Sequence, residues 1–269
     1  MTETRTDDPV TPVAYDGDDS RPLQVGPGTT FKARAEQIAL GIFIAVPLLA
    51  VLAAGFVLWG TGLSWVDVAL SSVFYVVTLH GITVGYHRYF THGSFKSGRV
   101  LRVALGIAGS MAIQGPVTRW VADHRRHHAY SDEEGDPHSP WRYGGGFKGL
   151  TKGLLHAHVL WLFDTEQTDQ KRFTPDLLAD KDISRVSKLF PLWVAVSLLL
   201  PAALGGLISW SWTGILTAFF WASVIRIGLL HHITWSINSI CHTWGKRPFV
   251  TKDRAVNVWW PCSSPAACC

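Results

Sequence analysis

At 269 residues, 48% of them hydrophobic and 16% charged, the chain is apolar for a soluble protein, so membrane embedding leads the classes to consider. The net charge of +4 is modest, no nucleic-acid partner is expected, and the four cysteines (Cys241, Cys262, Cys268, Cys269) lack metal-finger spacing and read as reduced thiols rather than a disulfide framework. Thirteen tryptophans point the same way, because indole favours boundaries that are apolar on one side and wet on the other.

The opening stretch, "MTETRTDDPVTPVAYDGDDSRPLQVGPGTT", is polar, acidic and rich in Pro and Gly. It reads as a disordered tail covering residues 1–34, not as a signal peptide. Ile38 to Leu58 is an uncharged run of 21 residues. As a helix it spans about 32 Å, enough for a hydrocarbon core of about 30 Å. Leu63 to Val84 follows after a short turn, with Asp67 near its start where it can reach the interface. A second pair runs from Leu189 to Trp210 and from Thr213 to about Leu230, with Arg226 near the end where its stem can snorkel. Trp59, Trp65, Trp210 and Trp212 flank the two turns like an aromatic belt. Val103 to Val117 is too short to span, and Phe147 to Phe163 mixes lysines with leucines; both read as buried or interfacial helices. Fifteen of the 24 Lys and Arg lie between Arg88 and Lys188 and none in the two turns, which predicts that both termini and the central segment are cytoplasmic. The expected fold is therefore an all-α integral membrane protein, with four transmembrane helices in two hairpins and a cytoplasmic histidine-rich helical cap.

The histidines carry the chemistry. "HRYFTH" sets His87 and His92 where the second span emerges. Five residues of α-helix leave such rings about 140° apart, so they can grip one metal only where the helix ends or bends. "HRRHH" is sharper: His124, His127 and His128 fall within about a 100° arc of one helical face, and His127 and His128 diverge enough to serve two neighbouring metals. Neutral imidazole suits iron, zinc, copper or nickel without choosing among them. His80 reads as a satisfied core histidine, His138 in "DPHS" as turn chemistry, and His156, His158, His231 and His232 as packing or interfacial groups. Asn238 and His242, at i and i+4, can address one site; a helix cap is the plainer reading of Asn238.

The succession of two membrane hairpins, "HRYFTH", "DHRRHH", "DPHS" and "NSICHTWGKRP" resembles the integral-membrane acyl-CoA desaturases of the stearoyl-CoA type, over roughly Ala35 to Trp260. Single histidine boxes are shared with membrane hydroxylases and alkane monooxygenases; the combination is more specific. The resemblance implies a domain over residues 35–260 in which nine histidines hold two irons beside a tunnel for the acyl chain. It implies that His87, His92, His124 and His128 hold one iron, that His127 and His242 hold the other, and that Asn238 binds it through a water. Gln114, Trp120 and Thr234 match residues that shape the tunnel bend; by itself Trp120 reads as a core aromatic.

The implied reaction introduces a cis double bond, near carbon nine, into an acyl-CoA or other fatty-acyl substrate, with dioxygen as co-substrate and membrane lipid as surroundings. Its electrons would come from a separate donor of ferredoxin, cytochrome b5 or flavin reductase type, since the chain has neither iron-sulfur cysteine spacing nor a dinucleotide fingerprint. Other readings of the same residues are a lipid or alkane hydroxylase and a non-catalytic metal- or lipid-binding membrane protein. The expected location is the bacterial plasma membrane. The resemblance also implies a third box, His-x-x-His-His, beyond a stretch like "NVWW". Here "PCSSPAACC" follows instead, so residues 261–269 read as an atypical tail, and the printed chain is expected to fold without desaturating.

Overall fold

Long apolar runs, broken by few polar residues, give four helical stretches long and apolar enough to cross a membrane: Arg34–Ala53, Trp65–Thr91, Phe190–Ser209 and Trp212–His242. A computed structural model describes residues 22–26, 30–57, 62–247 and 253–258. The expected N-terminal tail, the C-terminal tail and Trp59 lie largely or wholly outside those residues.

A two-residue strand β1 (Gln24–Val25) precedes α1 (Thr30–Val57). Helix α2 (Trp65–His80) begins at a capping box, in which Ser64 and Asp67 satisfy each other's backbone N–H groups. Asp67, in the first turn of the span, is 1% exposed and accepts a hydrogen bond from Thr217 Oγ1 at 3.0 Å. The second span then continues as a π-helical segment, Gly81–Thr91. Next come α3 (Arg99–Ser110), α4 (Val117–Tyr130) and α5 (Phe147–His158), a 3₁₀ turn at Leu160–Phe163, and β2 (Gln167–Thr168), which pairs antiparallel with β1. Short helices α6 (Gln170–Phe173), α7 (Pro175–Ala179) and α8 (Lys181–Lys188) lead into α9 (Phe190–Ser209). Trp210, in the left-handed region, ends α9, and Ser211 caps α10 (Trp212–Ala218). The last long stretch runs on through a π-helical segment, Phe219–Ile225, into α11 (Arg226–Ser239) and a 3₁₀ turn, Ile240–His242.

The second and fourth helical stretches outrun their expected ends near Val84 and Leu230, because helix can continue past the apolar run wherever its backbone bonds stay internal. Trp65, Trp210 and Trp212 are well exposed, as an aromatic belt requires. Arg226 does not snorkel. It is 2% exposed, and its guanidinium donates to Ser197 Oγ at 2.8 Å, Ser197 O at 3.1 Å, Ala222 O at 3.0 Å and Thr78 Oγ1 at 3.4 Å. Those acceptors inside the bundle hold the charge, so its stem has no need to reach the interface.

An apolar cluster joins the first π-helical segment to α4 and α8 through Ile82, Tyr86, Phe90, Val117, Val121 and Ile183, and Val103, Leu105 and Ile107 of α3 pack against it. Two glycines permit the approach. A Cβ on Gly81 would lie 2.3 Å from the backbone of Ala108, and one on Gly109 would lie 2.2 Å from the Tyr86 ring. The emerging histidine segment is thereby pressed against α3, with α4 alongside.

Candidate metal centre

The π-helical segment answers the geometric objection to "HRYFTH". The His92 N–H donates to the His87 carbonyl at 3.1 Å, an i→i+5 bond that stacks the two residues instead of splaying them as an α-helix would. Their rings meet at 4.7 Å, with Nε2 atoms 3.3 Å apart. On α4, His124 and His128 face the same point, their Nε2 atoms 3.1 Å apart. The four ligand atoms of His87, His92, His124 and His128 all lie within 4.8 Å of one another. A metal at about 2.1 Å from each nitrogen needs opposed nitrogens no more than about 4.2 Å apart, so the quartet fits one ion with a contraction of about 0.6 Å at most.

The electrostatics suit the same role. Burial, and then the neighbouring histidines, push His128 down to about 3 and His124 well below the ordinary range. Burial, and then the Arg125 charge, lower His92 as well. Imidazoles held neutral at physiological pH present lone pairs to a metal without first losing protons.

The neighbouring residue, His127, points elsewhere, as its angular offset predicts. Its ring lies 5.1 Å from His242 and 4.3 Å from His138. Carboxylates hold the backs of two of these rings: Asp136 accepts from His127 Nδ1 at 2.9 Å, and Asp132 from His242 Nδ1 at 2.8 Å. Hydrogen bonds from His127 and from the Asp132 backbone outweigh burial and hold the Asp136 carboxyl below the usual range. His127, Asp136 and His138 form a second group able to hold a metal. Sequence reasoning missed His138 and both aspartates. The turn at "DPHS" is real, since Asp136 accepts from the His138 N–H at 3.0 Å, but that turn swings the ring back over α4. The one available signal was an Asx-type turn placed closely after a histidine box.

Asn238 does not cap a helix: it lies inside α11 and lines the cavity described below, while His242 follows in the 3₁₀ turn, so their i, i+4 relation crosses a change of helix type. His80 is exposed rather than in the core, its Nδ1 bonded to the Val76 carbonyl at 2.8 Å. His156 and His231 are buried against the carbonyls of Pro137 and Ala112, and His158 stacks on His232, all consistent with packing roles.

Beneath these rings a cavity of about 660 Å³ is lined by Leu40, Phe43, Ile82 and Val194 among others, and His87, His124, His138 and Asn238 form part of its wall. That volume is ordinary for a small-molecule site. Gln114, Trp120 and Thr234 also line it, joined in one chain: Trp120 Nε1 donates to Gln114 Oε1 at 3.3 Å, and Gln114 Nε2 donates to Thr234 Oγ1 at 2.7 Å. The Trp120 ring stacks on His124 at 4.8 Å, so it contacts cavity and quartet at once and is more than a core aromatic. Ile113, beside Gln114, adopts φ 61°, a strained choice for a β-branched residue of the kind that gathers at functional walls.

Neutral imidazoles converging over an apolar cavity, at the ends of helices long enough to cross a bilayer, define a membrane-embedded protein with a polyhistidine centre suited to metal. The model of the fatty acid desaturase family matches residues 63–263, and the chain belongs to that family of oxidoreductases. It is 39% identical over 221 residues to a hex-5-enoyl-[acyl-carrier protein] acetylenase from Moorena producens (strain JHB), covering 81% of this chain and 69% of that protein. It is 34% identical to delta-9 acyl-lipid desaturase 1 of Arabidopsis thaliana, covering 73% and 60%, and 34% identical to sn-1 stearoyl-lipid 9-desaturase of Anabaena variabilis, covering 73% and 66%. The chain spans roughly half to two thirds of the length of such relatives. The expected lack of a third box concerns residues after Trp260, outside those described.

Proposed function

We propose that the protein acts on a fatty-acyl chain as a desaturase, introducing a cis double bond near carbon nine with two irons, dioxygen and a separate electron-donor protein. The observation that carries this reading is the His87, His92, His124 and His128 quartet beside the cavity, coupled to it through Trp120. Bound iron supplies dioxygen activation, which a side chain cannot provide for an unactivated methylene. In this reading His87, His92, His124 and His128 hold one iron, and His127 and His242 serve the other, with Asn238 nearby on the wall. Trp120, Gln114 and Thr234 fix the path of the acyl chain past the quartet, and the apolar wall excludes water. On the distribution of Lys and Arg, both termini and the histidine cap are assigned to the cytoplasm; the domain limits of 35–260 follow the family resemblance, and the membrane is taken to be a bacterial plasma membrane.

A lipid-linked acyl chain is favoured over acyl-CoA by one observation. Among the described residues lining the cavity, Glu36, Asp123, Asp164 and Glu166 accompany only Arg119 and Arg126 as charged groups. A carrier bearing several phosphates prefers a cationic mouth. The deciding experiment supplies labelled fatty acids to membranes expressing the protein with a compatible electron donor and analyses each lipid and thioester pool by mass spectrometry. With a third box, His-x-x-His-His, supplied after Trp260, a new cis double bond in the lipid pool is expected, and none from the printed chain. A hydroxylated product, or no product from a chain carrying two irons, overturns the proposal.

A further inference from the structure

Apart from the quartet, an unusual arrangement of polar groups surrounds His138. Its ring is 3% exposed and packed at 4.3 Å against His127 and at 5.0 Å against Trp161. Its Nδ1 is buried with no hydrogen-bond partner, and the nearest carboxylate oxygen, Asp136 Oδ1, is 3.9 Å away, beyond hydrogen-bond reach. An unsatisfied buried polar atom in a native structure calls for an explanation.

Asp136 is not the missing partner, since each of its oxygens is already used twice. Oδ1 accepts from His127 Nδ1 at 2.9 Å and from the His138 N–H at 3.0 Å; Oδ2 accepts from His127 Nδ1 at 3.0 Å and from the Asp132 N–H at 2.8 Å. Asp132 is engaged in the same way, by His242 Nδ1 at 2.8 Å, the Arg254 N–H at 2.8 Å and Ser139 Oγ at 2.9 Å. A carboxylate against each Nδ1 turns the Nε2 edge of His127 and of His242 away from it. This is the arrangement by which outer carboxylates orient metal-bound histidines.

We propose that His138 is a ligand of a second metal ion, held together with His127 and His242 beside the four-histidine site. The inference rests on the metal-dependent reading given under Proposed function, and extends it by a residue that neither the histidine boxes nor the family resemblance assigns. Asp136 and Asp132 then serve as braces for the outer two ligands, and the turn at Asp136 delivers the third.

The test uses cobalt(II) as probe on the purified full chain, comparing the wild type with His138→Ala, His138→Cys and His128→Ala. Two cobalt ions per wild-type chain are expected, with one in His138→Ala, where second-site affinity falls at least about 100-fold, beyond the usual effect of losing an outer partner. His128→Ala should keep the second ion while weakening the first. His138→Cys should keep two and gain a thiolate-to-cobalt charge-transfer band absent from the wild type, a signature that only direct ligation produces. One ion in the wild type, two retained in His138→Ala, or no new band in His138→Cys overturns the assignment of His138 while leaving the quartet standing. No bound cobalt in the wild type sinks the metal reading of both sites. Should the alanine variant fail to fold, the band in the cysteine variant decides alone.

Discussion

Asp176→Ala is expected to destabilise the histidine cap far more than its distance from any histidine box suggests. Arg125 and Asp176 form a two-pronged ion pair, Nη1 to Oδ1 at 2.7 Å and Nη2 to Oδ2 at 2.9 Å, with both side chains less than a tenth exposed. The same guanidinium donates to the Phe173 carbonyl at 2.9 Å and to the Phe90 carbonyl at 2.8 Å. Phe90 lies between His87 and His92, so the pair ties α7 to the quartet through the backbone. Removing one partner of such a pair leaves a buried charge uncompensated, at a cost of about 3–5 kcal/mol. Replacing both, as Arg125→Met with Asp176→Leu, removes the charge and should cost only about 2 kcal/mol, the value of two carbonyl hydrogen bonds at about 1 kcal/mol each. Thermal unfolding in detergent, followed by near-ultraviolet circular dichroism, measures both, and metal retention by the quartet should fall with the single variant. A single-variant cost under about 1 kcal/mol, or a double variant less stable than the single one, refutes the reasoning.

Gly109→Ala should cost about 1–3 kcal/mol, because the added methyl meets the Tyr86 ring at 2.2 Å and that ring is fixed by Ser110 and Gly115; a melting curve like the wild type's would contradict it. His156→Gln tests pH dependence. Burial, and then the Arg142 charge, hold His156 below its ordinary value, so the folded state takes up fewer protons than the unfolded one, and the stability His156 contributes above pH about 6.5 is lost as pH falls below it. The stability difference between wild type and His156→Gln should therefore shrink between pH 7.5 and 5.5, and a constant difference would exclude the mechanism. Trp120→Ala in an active family member should move the double bond or abolish turnover without loss of bound metal; unchanged regiochemistry and rate would remove Trp120 from the bend. Chelation should lower the melting temperature of the cap while far-ultraviolet dichroism retains the membrane helices, whose backbone bonds are internal, and equal loss of both signals would argue against that separation.

Much of this was legible in the sequence, because apolar run length and histidine spacing are local quantities. The four long helices, the convergence of His124 with His128 and the divergence of His127 all follow from helical angles. Arg226 was misjudged because three of its four hydrogen bonds go to remote residues: Ser197 is 29 residues away and Thr78 is 148. The cross-helix partner of Asp67, Thr217, is 150 residues distant and equally invisible to local pattern. Snorkelling is the default only for a charge that finds nothing inside the bundle, and composition cannot report what packing brings near.

The histidine site marks the sharper limit. On α-helical geometry His87 and His92 diverge, and a kink or a helix end was the only escape then visible. The molecule instead changes hydrogen-bond register over Gly81–Thr91, an option that no apolar periodicity reveals because it moves side chains without breaking the helix. The register change is sustained from within and without: Thr91 Oγ1 donates to the Tyr86 carbonyl at 2.9 Å inside the segment, while Gly81 lets it lie on α3 and Arg125 holds the carbonyl of Phe90. A π-helical turn is intrinsically less favourable than an α-helical one. Its persistence here therefore depends on these contacts, and the convergence of His87 with His92 depends on residues that carry no metal-binding chemistry of their own.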